Sequence, residues 1–262
     1  MTLSIIVRAY RKLRILALFP MYKRYLKGIS PSSPLHGITA RLVGDASADP
    51  TEFLDHYAAY GFWAMSKMQE RGTSTPLKVL DLGSPKMFNA MNSVNHDVSS
   101  VVLADCADSI SRVHYVCHDA ADRLPFPDAS FDVFTSTVSL PLLGLGRYGD
   151  RLDPDCLPRL VGTELSRVMK VDGELLISMC LGRNVLQFNN GWFFEMPTIE
   201  RLFAGWVIVD RLVDMKSSTY GSAGNSSARF IADTSVDDLP VGHYRVVFLH
   251  LRRVGADVRS TN

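Results

Sequence analysis

The chain has 262 residues, 47% hydrophobic and 21% charged, with 28 Lys and Arg against 27 Asp and Glu. A chain of this size and apolar content buries a core without staples, so one globular domain with a short extension is expected. The even charge balance gives no footing for a nucleic-acid or acidic-polymer partner. The four cysteines, Cys106, Cys117, Cys156 and Cys180, lack metal-ligand spacing, so they are expected to be reduced and buried and no metal site is assigned.

Charge is nonetheless uneven. Arg8, Arg11, Lys12, Arg14, Lys23, Arg24 and Lys27 all precede the first acidic residue, Asp45. The apolar residues among them are broken by charge and by Pro20. The segment is too interrupted for a transmembrane span and lacks the small-residue cleavage site of a signal peptide. A cap helix on the domain is one reading. A peripheral contact through residues 1–27 with anionic lipid at the inner membrane face, or with a membrane-bound assembly, is the other. Residues 28–50 mix Pro, Ser, Gly and Asp and read as a linker, so the domain proper is expected over 51–255, followed by a tail. Phe53, Leu54, Tyr57, Tyr60, Trp63, Ala64 and Met68 fall at helical spacing, which predicts a helix over 51–71 with its aromatic stripe in the core.

Short apolar runs follow at 78–82, 101–105, 113–116, 131–136, 174–179, 206–212 and 244–251, and each reads as a strand. Helical patterns lie at 156–170 and 197–204. The alternation predicts an α/β fold, with a mostly parallel sheet and helices on both faces. The Ser-, Gly- and Asp-rich stretch 216–242 reads as a flap or insertion.

Three places carry candidate chemistry. Val79-Leu80-Asp81-Leu82-Gly83-Ser84 is a buried strand running into a glycine, and ligands of open α/β sheets sit beyond such strand ends. Asp105 closes the next strand, where a carboxylate can accept both hydrogen bonds of a ribose diol or can cap the following helix. Asp119-Ala120 opens the run DAADRLPFPD, followed by SFDVF.

In that order, and with ELSRVMKVDGELLIS at 164–178, the chain resembles the class I S-adenosylmethionine-dependent methyltransferases over about residues 76–180. The resemblance implies a Rossmann-like sheet with an antiparallel last strand. It assigns the methionine part of S-adenosylmethionine to Asp81, Gly83 and Ser84, the ribose to Asp105, and the adenine amine to Asp119 with Ala120. Where that class usually reads GxGxG this chain has Gly83-Ser84-Pro85-Lys86-Met87. Two glycines are absent, Pro85 removes an N–H donor, and Lys86 could pair with an anionic group. The string GLGRYGD at 144–150, with LDPD at 152–155 and VLQFN at 185–189, resembles a bacterial domain of unknown function, family 268, whose members often accompany sugar-polymer genes.

The 144–155 loop follows the fourth core strand, the usual side for acceptors in this architecture. Arg147 can clamp a carboxylate or phosphate, Asp150 can take a hydroxyl proton, and Tyr148 completes the candidate catalytic set. The alternative is a structural loop whose glycines supply positive φ. The expected function is transfer of a methyl group from S-adenosylmethionine to an oxygen of a saccharide or saccharide-lipid intermediate in surface-polysaccharide biosynthesis. A non-catalytic scaffold beside a glycan-assembly enzyme and a nucleotide-sugar-handling transferase are the alternatives. A cytoplasmic location is expected.

Overall fold

A computed structural model describes residues 16–42, 55–72, 75–104, 112–215 and 229–253. A helix over residues 16–27 (α1) leads to strand β1 (Thr39–Leu42) and helix α2 (His56–Glu70). Then come β2 (Lys78–Leu82), α3 (Lys86–Asn92), β3 (Asp97–Val102), β4 (His114–Cys117) and β5 (Phe131–Thr137). A helical stretch follows: α4 (Cys156–Arg159), a π-helical turn (Leu160–Glu164) and α5 (Leu165–Val168). The chain closes with β6 (Met169–Leu181), β7 (Val185–Phe188), β8 (Gly191–Phe193), α6 (Met196–Leu202), β9 (Trp206–Asp214), β10 (Phe230–Ile231) and β11 (Arg245–Arg253).

The main sheet has the order β10-β9-β11-β6-β5-β2-β3-β4. Strands β4, β3, β2, β5 and β6 pair in parallel, and β11 lies antiparallel between β6 and β9. Strand order reverses at β2, where β3 lies on one side and β5 on the other, which opens a crevice beyond the carboxyl ends. This is the expected mostly parallel α/β sheet with an antiparallel last strand.

Alternation along each strand feeds two cores. Leu80, Phe134, Ile177 and Leu249 join the cluster that holds Leu157, Leu165, Ile199 and Tyr25. Their strand neighbours Val79, Val133, Leu176 and Phe248 join Tyr60, Trp63 and Phe88 of α2 and α3 on the other face. Asp55 caps α2 by accepting from Ala58 N at 2.9 Å, and the buried Tyr60 hydroxyl donates to the Leu176 carbonyl across the layer.

The linker expected over 28–50 is corrected for its described part. Strand β1 pairs in parallel with β7, and β7 with β8, to build a second, three-stranded sheet. Tyr25 of α1 is 1% exposed, accepts from Trp192 Nε1 at 2.9 Å and packs against Phe188. The domain therefore begins before residue 51, because helix α1 covers the back of β7 and β8. Residues 1–15 of the basic segment lie outside the described residues. Of the cysteines, Cys156 and Cys180 are buried and Cys117 is exposed, which corrects the expectation for that one; Cys106 is outside the described residues. Among the described residues no helix is long and apolar enough to cross a membrane.

At the end of the sheet away from the crevice, Glu174 accepts from Arg252 Nε at 2.9 Å and lies 3.1 Å from His250 Nε2 and 3.7 Å from Arg71 Nη1. Burial raises the Glu174 pKa, but the His250 hydrogen bond and the charges of His250, Arg71 and Arg252 outweigh it and leave the carboxyl below its usual value. A depressed carboxyl stabilises the fold above its unfolded pKa and loses that contribution as pH falls through the folded value. Glu174→Gln is expected to cost about 1–2 kcal/mol at pH 7 and to flatten the loss of stability below about pH 5. Urea midpoints measured against pH for both proteins check this.

Candidate active site

The loop after β2 is shaped by a carboxylate held inside the sheet. Asp81 is 0% exposed, and four donors from different elements converge on it. Thr135 Oγ1 donates to Oδ1 at 2.9 Å, while Asn89 Nδ2 (2.7 Å), Ser100 Oγ (3.0 Å) and Ser84 N (3.3 Å) donate to Oδ2. Burial pushes the Asp81 pKa up, and the four hydrogen bonds pull it back. With its acceptor capacity directed inward, Asp81 does not face the crevice as the resemblance implied. It instead ties β2, β3, β5 and α3 together beneath the loop. Ser84 is used in the same way: its N–H serves Asp81, and its hydroxyl accepts from Thr137 Oγ1 at 3.0 Å.

Gly83 has φ +76°, and a Cβ there would sit 2.3 Å from Ser139 Oγ, so only glycine makes this turn. Ser139 Oγ donates back to the Gly83 carbonyl at 2.8 Å.

Beyond these ends opens a cavity of about 330 Å³. Leu82, Gly83, Val101 and Leu103 border one side, and His118, Asp119 and Ala120 follow β4. Tyr57 from α2, Ser139 after β5, and Tyr148 and Asp150 from the 144–155 loop close it. The sequence-derived residues Gly83, Asp119, Ala120, Tyr148 and Asp150 thus meet in one place. Asp81, Ser84 and Arg147 are not among the bordering side chains, and Asp105 lies outside the described residues.

Asp119 is fixed from two sides, with Oδ1 accepting from Ala121 N and Oδ2 from Arg151 N, both at 2.8 Å. Arg151 also donates to Ala121 O and Asp122 Oδ1, and Arg159 donates to Ala121 O and to Asp153. The post-β4 loop and the 144–155 loop are therefore one hydrogen-bonded unit. The next turns are pinned by Arg167, which donates to the carbonyls of Leu124 and Phe126 and to Glu164 and Asp128. Leu124 N in turn donates to Glu164 Oε2 at 2.9 Å. The ELSRV segment thus clamps the LPFPD turns.

All three glycines of GLGRYGD have positive φ: Gly144 +72°, Gly146 +68° and Gly149 +89°. Asp150 closes the turn by accepting from Gly146 N (3.2 Å) and Tyr148 N (3.1 Å). Arg147 turns away, donating to the carbonyls of Asn189 (3.0 Å) and Asn190 (3.3 Å) in the β7–β8 turn, with its guanidinium 5.3 Å from the Tyr148 ring centre. It anchors the loop to the small sheet. Tyr57 was missed from sequence because an aromatic at core spacing carries no sign of which stripe it joins. Among the described residues no group of three or more His, Cys, Asp and Glu could hold a metal ion.

Residues 72–177 match the family model described as the methyltransferase domain. The strand order and the crevice agree with this match, which makes the segment similar to a methyltransferase domain. Among curated proteins, the ubiquinone/menaquinone biosynthesis C-methyltransferase UbiE of Shewanella oneidensis is similar at 29% identity over 137 residues, 46% of this chain and 49% of its own. Its counterpart in Shewanella putrefaciens is 28% identical over the same shares. The chain spans about half the length of the curated relatives it matches. Among solved structures, the N-methyltransferase NodS from Bradyrhizobium japonicum, in complex with S-adenosyl-L-homocysteine, is 12% identical at TM-score 0.48, covering 79% of this chain and 93% of its own. The [4+2]-cyclase SpnF is 15% identical at TM-score 0.48, covering 94% and 95%.

The bordering residues fit an adenosine group. Leu82, Val101, Leu103 and Ala120 offer apolar surface, Asp119 keeps acceptor capacity beside it, and the volume lies in the lower part of the small-molecule range. The turn after Gly83 offers fewer N–H donors than a glycine-rich loop, since Ser84 N is spent on Asp81 and Pro85 has none. The hydroxyls of Ser139 and Thr137 border that end instead.

Proposed function

We propose that the protein transfers the methyl group of S-adenosylmethionine to an oxygen of a saccharide or saccharide-lipid acceptor. The observation that carries this reading is the convergence on one cavity of Gly83 and Asp119 on one side and Tyr148 and Asp150 on the other. When bound, the cofactor supplies an electrophilic methyl group on a sulfonium centre. Asp119 would accept the adenine amine, and the Gly83 turn would let backbone approach the methionine end. Tyr57 and Tyr148 wall the acceptor side. Asp150, held by two backbone N–H groups, presents its remaining lone pairs to the acceptor hydroxyl and takes its proton. Arg147 positions this loop, and Asp150 with it, through the Asn189 and Asn190 carbonyls, and methyl transfer depends on such positioning.

The resemblance of GLGRYGD to a bacterial group that accompanies sugar-polymer genes supports a sugar acceptor. The basic amino-terminal segment is then the element that brings the enzyme to a membrane-bound intermediate. The Shewanella relatives favour a second reading, methylation at carbon of a quinone precursor. The two separate when the protein is incubated with radiolabelled S-adenosylmethionine and a bacterial membrane-lipid extract. The expected result is label in an O-methyl sugar released by acid hydrolysis, lost in Asp150→Asn. Label on a quinone ring carbon, or transfer undiminished in Asp150→Asn, contradicts the proposal.

A further inference from the structure

Helices α2 and α3 present apolar side chains to solvent on the faces that turn away from the sheet. Phe62 is 78% exposed, Met87 72% and Met91 50%, although each lies one or two positions from a fully buried neighbour. Between the helices runs a groove of about 1010 Å³. Its floor is formed where Gly61 lets α2 approach Phe88, at 3.3 Å from an ideal Cβ. Phe62 and Met65 form one wall, Met87 and Met91 the other. The groove's one bordering carboxylate, among the described residues, is Asp55 at the Tyr57 end.

Tyr57 borders both this groove and the cofactor crevice. Tyr57 therefore stands between the groove and the place where the acceptor must lie. Unbranched thioethers adapt to a flexible chain, and a large exposed apolar surface on a monomer marks a binding site. A folded protein partner or a second copy would need no opening toward the crevice; a ligand with one end in the reaction centre does.

From this adjacency at Tyr57 we propose that the α2–α3 groove binds the hydrocarbon chain of the acceptor, an acyl or prenyl tail, while its polar head passes Tyr57 into the crevice. The proposal rests on the methyl-transfer reading above and narrows its acceptor to an amphiphile. A neutral chain suits the walls, because charge is absent from them and no cation stands ready for an anionic group among the bordering residues.

The test uses the full chain labelled with methyl-13C methionine, with Met87 and Met91 assigned by Leu substitutions. It is titrated with octyl glucoside below its micelle-forming concentration, and with glucose as the tail-less control. Saturable shifts at Met87 and Met91 with octyl glucoside, and none with glucose, are expected. Phe62→Glu and, independently, Met91→Lys should each weaken octyl glucoside binding at least tenfold, with S-adenosylhomocysteine affinity measured by calorimetry unchanged. No shift with octyl glucoside, equal shifts with glucose, or shifts that follow protein concentration alone and so report a second copy, would overturn the groove assignment. Octyl glucoside binding by a folded protein that ignores S-adenosylhomocysteine would instead overturn the methyl-transfer reading and the assignment of the chain as part of an acceptor.

Discussion

Asp81→Ala is expected to destabilise the protein by about 4 kcal/mol, near the top of the range for single substitutions. Removal of the carboxylate strips the acceptor from Thr135, Ser100 and Asn89 side chains and from Ser84 N, all buried. Each orphaned buried donor costs about 1–3 kcal/mol, and hydroxyl rotation and repacking recover part of the sum. Because burial raises the Asp81 pKa, the ionised form is held at some cost to folding near neutral pH. A raised carboxyl contributes stability below its unfolded pKa that is lost as pH rises through the folded one. The loss from Asp81→Ala is therefore expected to be at least as large at pH 4 as at pH 7. Equilibrium urea unfolding at both pH values measures it. A change below 1 kcal/mol would mean that the four donors have other acceptors and that Asp81 is not the tie between strands.

The second large effect separates two glycines of one motif. Gly144 and Gly149 both have positive φ, so alanine at either strains the backbone by about 1 kcal/mol. At Gly149 nothing lies within 4 Å of the added Cβ, whereas at Gly144 it would stand 1.9 Å from the Asp153 carbonyl oxygen. That contact closes the neck of the loop, where Asp153 N donates to Gly144 O at 3.0 Å. Gly144→Ala must push the strands of the neck apart and is expected to cost about 3 kcal/mol, against about 1 kcal/mol for Gly149→Ala. Thermal unfolding of the two variants side by side reads the difference. Equal losses would show that conformation alone, and not the close approach, requires glycine at 144.

The main sheet was legible because its strands are either continuous apolar runs or bounded by turn signals. Strand β2 falls at 78–82 as its sequence predicts, and β5 and β11 are offset by at most two residues at either end. Strand β3 lies four residues earlier than its apolar run, since Ser99 and Ser100 disguise its first half; Ser100 is polar because it serves Asp81. Strand β6 extends back through Gly173 to Met169, a glycine that reads as a turn but stays in the strand. Helix α3 and the β1-β7-β8 sheet were missed. The former is one short segment rich in Asn and Met, and the latter joins a hairpin of strands of 4 and 3 residues to the 4-residue β1, far earlier in the chain.

The site was legible in part for a related reason. Asp119 and Asp150 lie on loops and border the cavity, and a loop carboxylate faces solvent or ligand by default. Asp81 sits inside a strand, and whether such a carboxylate meets a ligand or the interior depends on residues up to 54 positions away. Arg147 reads as an anion clamp, but its acceptors are two backbone carbonyls that leave no mark in sequence.

The most direct test of the central claim is a calorimetric titration of the folded wild-type chain with S-adenosylhomocysteine, beside Asp119→Ala. One-site binding with a Kd of about 1–100 μM, weakened at least tenfold in the variant, is the expected result, since a buried hydrogen bond to a charged group contributes about 1.5–3 kcal/mol. Absence of binding by the folded wild type, or binding that Asp119→Ala leaves unchanged, would contradict the assignment of the cofactor to this crevice.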